Sequence, residues 1–352
     1  MMAAHPLPGP LVGDSVWYGP ELANNPQTWC FTLNDADLAE IQKAAERFLD
    51  TGADISEIRA DRFPLPRLSE RLAGWLEQLV RGTGFALLRG LPVDDWPRAV
   101  SAAAFFGVGA YLGLARPQNA QGHMLGHVID MGLDARDPHV RIYQTHARQT
   151  FHTDSCDIVG LLCLRKSRRG GESALVSSNT IYNEMRRREP VLAAVLFDPL
   201  ATDRRGEVPP GGQPFFSIPV FNWYQGLMST IYHRQYIDSA QRFAEAFRLT
   251  ALHVEALDLF DSLAESPALH FMMDFEPGDM QFVHNHTMLH DRMAFEDWPD
   301  PERRRHLLRL WLSSPSARPL PPVYAERYGS VTPGERGGVM MPAVRWHAPL
   351  EP

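Results

Sequence analysis

A mainly β fold with flanking helices, built as a sandwich of sheets, is the fold class this sequence predicts. Three observations carry it. From about residue 140 onward, short apolar runs are split by turn residues. The 29 prolines and 26 glycines in 352 residues favour many turns and short strands over a helical bundle. Two amphipathic helix patterns near the N-terminus then run into one short apolar strand, which supplies the flank.

In chain order, residues 1–16 are Pro-rich and are expected to be mobile. Asn34 offers an N-cap to a helix whose apolar positions Leu38, Ile41, Ala45, Phe48 and Leu49 share one 3.6-period face. Leu68, Leu72, Trp75, Leu76, Leu79 and Val80 form a second stripe, closed by Gly82 and Gly84, so that 34–82 reads as a helical flank. Phe85 to Leu88 reads as a buried strand ended by the Arg89-Gly90-Leu91-Pro92 turn. The later strands are expected at Val140 to Tyr143, Ile158 to Leu164, Ser173 to Ser177, Met280 to Val283 and Leu307 to Leu312. Between them, about 180–268, lies a mixed insertion with helices at Tyr236 to Phe247 and Leu252 to Leu263, of a length that often covers a site. Residues 321–352 read as a Pro-rich peripheral tail.

The net charge of -8, from 34 Lys and Arg against 42 Asp and Glu, supplies no footprint for nucleic acid or an anionic membrane. Cys30, Cys156 and Cys163 make an odd number without metal-type spacing, so neither a disulfide framework nor a zinc ribbon is indicated and a reducing cytoplasm fits. The N-terminus lacks a basic n-region and an apolar h-region, and no window holds 18 uninterrupted apolar residues.

The chemistry is concentrated in a few segments. Phe151-His152-Thr153-Asp154 sets an imidazole and a carboxylate at i and i+2, which on a strand point to one face and can converge on one cation. A solvated His/Asp pair at a strand end would read the same way. Far downstream, the turn and strand Gly278-Asp279-Met280-Gln281-Phe282 run into His284-Asn285-His286-Thr287-Met288-Leu289-His290. A distal histidine there can complete two His and one carboxylate on one face of an octahedron, leaving three positions open as non-haem Fe(II) oxygenases need. Arg309 lies in an apolar strand pattern, where a guanidinium is costly unless paired. A bidentate carboxylate ligand and a structural Arg–Asp bridge both answer that need.

With Gly170-Gly171-Glu172-Ser173, these segments follow one another in an order and spacing that resemble the taurine dioxygenase type, the TauD/TfdA-like Fe(II)- and 2-oxoglutarate-dependent dioxygenases, from about Trp17 to Leu320. The resemblance implies a double-stranded β-helix, a jelly roll with helices outside, as a single domain over 17–320. It also implies that His152, Asp154 and His290 bind iron, and that Arg309 holds the distal carboxylate of 2-oxoglutarate with the hydroxyl of Ser173, where the family more often has Thr. The spacing from His290 to Arg309 is longer by a few residues than in the taurine enzyme. Arg305 lies at the shorter spacing, and the pair Arg305 and Arg309 reproduces the family's two arginines four apart, with the extra residues placed in the Asp297 to Glu302 loop. The implied partners are dioxygen and a small organic substrate such as an acid, an amino-acid derivative or a secondary metabolite, with release of succinate and CO2. Self-association is left open. Because Asp154 fills the carboxylate position, hydroxylation or another hydrogen-abstracting outcome is expected and halogenation is not.

Two other classes compete: a zinc hydrolase using the cluster His284, His286 and His290 with Asp154, and a metal-bound jelly-roll protein that binds a small acid. His284 and His286 are read as lining residues on the strand face of His290. Cys156 is read as a small buried thiol and Asp157 as a solvated turn carboxylate. Gln118, Asn119, His123, Arg148 and Gln149 are pocket candidates that could equally be solvated loop residues.

Overall fold

The computed structural model describes residues 7–137 and 140–352. Two sheets face each other in a jelly-roll sandwich. The larger runs Cys30–Thr32, Phe85–Arg89, Met280–His284, Ile158–Arg165, His306–Ser313, and the last of these also pairs with the short strands Leu114–Ala115 and Gly126–Val128. The smaller runs Phe271–Met273, Ser173–Ser177, Met288–Arg292, Gln149–His152. All pairings are antiparallel except the one between Cys30–Thr32 and Phe85–Arg89.

Side-chain alternation explains why these runs are so apolar. In His306–Ser313, Leu308, Leu310 and Leu312 pack against the helices Asp35–Leu49, Leu68–Arg81 and Arg98–Ala110 through Ile41, Phe48, Leu72 and Phe105. Leu307 and Trp311 point instead between the sheets, toward Leu175, Met288 and Met273. A strand covered on both faces reads as a continuous hydrophobic run, and the alternation puts Arg309 on the inter-sheet side. The smaller sheet turns its other face, Ala174, Val176 and Leu289, onto Ile181, Tyr182, Leu257 and Phe260 of the insertion. The turn before Met280–His284 requires Gly278: its φ is +87° and a Cβ there would lie 1.9 Å from the Leu91 carbonyl oxygen.

The N-terminal helix starts at Asn34 in a capping box with Asp37, and the second ends at Gly82, both as the sequence indicates. Several expectations need correction. Val140 to Tyr143 is not a strand; Ile142–Gln144 forms a single 3-10 turn, and no neighbouring strand offers it a ladder among the described residues. The helix expected over Tyr236 to Phe247 is Arg234–Ala240, because Arg248 donates to the carbonyls of Gln241 and Phe243 and holds that stretch in turns. The helix at 252–263 is present as Ala251–Ala264, and the insertion also holds two hairpins, Pro199–Asp203 with Phe215–Pro219 and Phe221–Tyr224 with Leu227–Thr230.

Residues 1–6 of the segment expected to be mobile lie outside the described residues. Residues 7–16 are fastened: Asn183 exchanges side-chain hydrogen bonds with the backbone of Leu11, and Tyr182 donates to the Pro8 carbonyl at 2.6 Å. The tail is not peripheral either. Tyr324 and Tyr328 are buried in a cluster with Phe216, Ile218 and Leu320, and Arg336 is 0% exposed, so packing continues past residue 320.

Candidate metal centre

His152 closes the strand Gln149–His152 and pairs in register with His290 on Met288–Arg292, with ring centroids 4.1 Å apart. Asp154 lies two residues beyond the strand end, so a loop, not the strand, aims its carboxylate. Its backbone N–H donates to Asn285 Oδ1 at 3.0 Å, and Asn285 also donates to Cys156 Sγ, which fixes that loop against the turn after Met280–His284. One ligand atom from each of His152, Asp154 and His290 lies within 4.8 Å of the others, the one such group of three among the described residues. His152 Nε2 is 3.9 Å from Asp154 Oδ1 and His290 Nε2 is 3.8 Å from Oδ2.

The surroundings prepare these atoms for a cation. The Nδ1 of His152 is 2.8 Å from the Thr150 carbonyl, a bond that puts the proton on Nδ1 and leaves Nε2 as an acceptor, with the Gln149 amide nitrogen at 2.9 Å. Burial holds both imidazoles neutral, His290 down to about 3. Burial works against the Asp154 carboxylate, but the charge of Arg309 and the hydrogen bond from Trp311 favour its ionised form, and it is held well below the usual carboxylate range. Trp311 Nε1 donates to Asp154 Oδ2 at 2.8 Å, with Arg309 at 3.5 Å from the same oxygen. Two neutral imidazoles and one oriented carboxylate are the donor set that a divalent first-row metal takes with positions to spare.

One pocket beside this cluster is lined by His152, His290, Ser173, Gln281, Arg292 and Arg305. Arg305 is buried, and its Nη1 has no partner. Arg292 donates to the carbonyls of Thr145 and Ala147, leaving its Nε without one. Burial lowers both, Arg305 to about 10 and Arg292 to about 9, the latter helped down by Arg305. Among the described residues neither is ion-paired. Two buried guanidiniums lining one pocket without an ion pair, the Asp291 that also lines it being paired with Arg148, form a socket for a carboxylate. Arg309 is differently placed: its Nε donates to Gln118 Oε1 at 2.7 Å, its guanidinium lies 4.4 Å from the Tyr143 ring centroid, and it borders a second cavity as well as the first.

The histidine cluster of the zinc reading is not assembled. Met280–His284 and Met288–Arg292 belong to different sheets, joined by a turn, so the three histidines do not share a strand face. His284 Nδ1 bonds Thr287 Oγ1 at 2.9 Å, and His286 Nε2 bonds Asp157 Oδ1 at 2.8 Å. Cys156 is buried as expected, but Asp157 is 0% exposed and not solvated: Arg336 donates to Oδ1 at 2.8 Å and the Ser314 N–H to Oδ2 at 3.0 Å. Of the softer candidates, Gln118 and Gln149 reach the site, Gln149 through a 2.9 Å contact with His152 Nε2. Asn119 caps its own turn, His123 packs on His347, and Arg148 is ion-paired with Glu265 and Asp291. Sequence reasoning missed Trp311, Asn285 and Arg292. Only Trp311 left a signal, as an indole two residues from Arg309 on an inward-facing period.

Residues 50–311 match the family model "Taurine catabolism dioxygenase TauD, TfdA family". FR-33289 synthase of Streptomyces rubellomurinus is 34% identical over 321 residues, covering 90% of this chain and 94% of that protein. Two solved structures share the fold at low identity. An asparagine oxygenase in complex with Fe(II), 2S,3S-3-hydroxyasparagine and succinate has a TM-score of 0.62 at 17% identity and covers 81% of this chain and 93% of its own. The non-heme iron oxygenase OrfP with Fe and alpha-ketoglutaric acid gives 0.62 at 14% identity, over 80% and 93%.

Proposed function

The chain belongs to the TauD/TfdA family and is an Fe(II)- and 2-oxoglutarate-dependent dioxygenase, and from that premise we propose that it hydroxylates a small organic substrate at a centre held by His152, Asp154 and His290. What carries this reading is a junction: a buried two-imidazole, one-carboxylate cluster opens directly onto a pocket with two acid-free guanidiniums. Iron bound by the three side chains would supply dioxygen activation at the expense of 2-oxoglutarate, with succinate and CO2 as co-products.

The chain's own residues have distinct parts. Arg305, seconded by Arg292 and by Ser173, takes the distal carboxylate of 2-oxoglutarate, the role that the family resemblance gives to Arg309. Arg309 keeps Asp154 ionised and stands where the two cavities meet. Trp311 orients the carboxylate, and Thr150 sets the His152 tautomer. Burial of His152 and Asp154, with His290 partly buried beside them, limits the access of bulk water. No helix among the described residues is long and apolar enough to cross a membrane. We read the whole packed chain from about Trp17 through the buried Arg336 as one catalytic unit.

The test is succinate release from 2-oxoglutarate with Fe(II) in air, screened against small acids and amino-acid derivatives and paired with mass spectrometry of the primary product. Substrate-dependent succinate with a product heavier by one oxygen is expected. Turnover without dioxygen, or a hydrolysed product with no succinate, would overturn the reading.

A further inference from the structure

A second cavity reaches the metal centre and shares Tyr143, Gln149 and Arg309 with the first. Asp154, Thr153 and His233 line it, and so do Arg141, Arg204 and Arg327, drawn from three separate segments of the chain. Two arginines of the insertion are neutralised: Arg242 is paired with Asp203, and Arg234 with Asp238, Asp258 and Asp261. Arg204 and Arg327 are not. Among the described residues neither has a carboxylate within ion-pairing distance. Arg204 donates to the Glu326 carbonyl while its buried Nε lacks a partner, and Arg327 donates to the Gly338 carbonyl at 3.1 Å. Both guanidiniums lie over the Phe216 ring, at 5.5 and 6.0 Å from its centroid. Burial lowers both, Arg327 to about 10.

Such cations cost free energy unless an anion joins them. Arg141 is paired with Glu207, and of the two carboxylates that line the cavity Asp203 is paired with Arg242 and Asp154 with Arg309, so Arg204 and Arg327 are the two lining cations left without an ion pair. A doubly charged group with three equivalent oxygens matches that excess and the fork geometry of arginine, whereas a singly charged carboxylate or sulfate monoester leaves one cation bare. His233 lies between this cluster and the iron ligands: it is bridged to His152 in the backbone, stacks on Tyr236 at 3.6 Å, and both its ring nitrogens are buried without partners.

We propose that Arg141, Arg204 and Arg327 hold a phosphate-monoester or phosphonate group of the substrate, so that the carbon to be oxidised is carried past His233 toward Asp154. The inference deepens the oxygenase reading and rests on it. It makes the substrate a short phosphorylated or phosphonate-bearing molecule anchored by its dianion.

Calorimetric titration of the full-length protein, loaded anaerobically with Fe(II) and saturating 2-oxoglutarate, tests this with propyl phosphate, propylphosphonate and propyl sulfate. At neutral to mildly alkaline pH the phosphorus anions approach two charges while the sulfate keeps one. At least one phosphorus anion should bind tenfold or more tightly than the sulfate, and which one does names the source. Arg327→Gln and Arg204→Gln should each weaken that binding at least tenfold and leave 2-oxoglutarate affinity within twofold. Arg327→Lys, which keeps the charge and loses the fork, should lie between. Equal binding of all three anions, displacement of 2-oxoglutarate by the probe, or wild-type affinity in the folded Gln or Lys variants would overturn the proposal. If the Gln variants do not fold, the anion ranking on the unmutated protein decides alone. Because the readout is binding, succinate formation without any phosphorus-anion preference would sink this inference and leave the oxygenase reading standing.

Discussion

Asp154 and Asp157 stand three residues apart, both buried, yet their surroundings give them opposite work. Asp157 is closed: Arg336, His286 and the Ser314 backbone fill its oxygens, tying the tail to the turn that also braces Asp154. Asp154 is held at one oxygen by Trp311 and Arg309, while His152 and His290 approach it without satisfying it. A buried carboxylate that is fully bonded is structural. One that is oriented, ionised and left short of partners is prepared for a cation.

The largest effect that can break this contrast is loss of a ligand. His152→Ala or His290→Ala should abolish turnover and stoichiometric iron binding while the melting temperature stays within a few degrees, since the sandwich core does not depend on either ring. Activity near wild type with full iron content in either variant would contradict the assignment. The mirror experiment is Asp157→Ala. It strands Arg336 and His286 in the interior and should cost about 3–5 kcal/mol of stability by denaturant titration. Asp154→Asn should cost far less, because Trp311 keeps an acceptor and Arg309 keeps Gln118.

The arginines sharpen the comparison from the cosubstrate side. Arg305→Ala removes a charge-assisted pair and should raise the KM for 2-oxoglutarate by about ten- to a hundredfold, from roughly 1.5–3 kcal/mol. Arg309→Ala should move that KM less and weaken iron retention more, through Asp154. The reverse ranking would restore Arg309 as the anchor.

A smaller effect is set by pH. Burial holds His286 down to about 4 and His306 to about 3. Their folded values lie below the unfolded value of about 6.5, so the unfolded chain takes up protons first. Stability should therefore be full above about pH 6.5 and fall as pH drops toward 4, in thermal melts of the metal-free protein. A melting temperature that stays flat over that window would show that these rings are not buried neutral.

The metal cluster was legible because its parts are local: an H-x-D at a strand end and a histidine on the neighbouring strand each leave a short signature. Arg305 and Arg309 were not separable by sequence. They sit four apart, Arg309 within the strand His306–Ser313 and Arg305 just before it across a register irregularity at His306 and Leu307, and the unpartnered Nη1 of Arg305 distinguishes them. Asp157 was misread because its partner Arg336 is 179 residues away, in a tail whose prolines suggested a periphery. The His284 to His290 stretch looked like one strand because nothing in its composition marks the turn that passes the chain from one sheet to the other.

The central claim, that His152, Asp154 and His290 hold iron beside a 2-oxoglutarate socket, is tested most directly by anaerobic titration of Fe(II) into the protein with 2-oxoglutarate, followed by visible absorption. One equivalent should bring up the weak visible band of chelated 2-oxoglutarate in the unmutated protein and none in His290→Ala. No band in the unmutated protein, or a full band in the variant, would contradict the account.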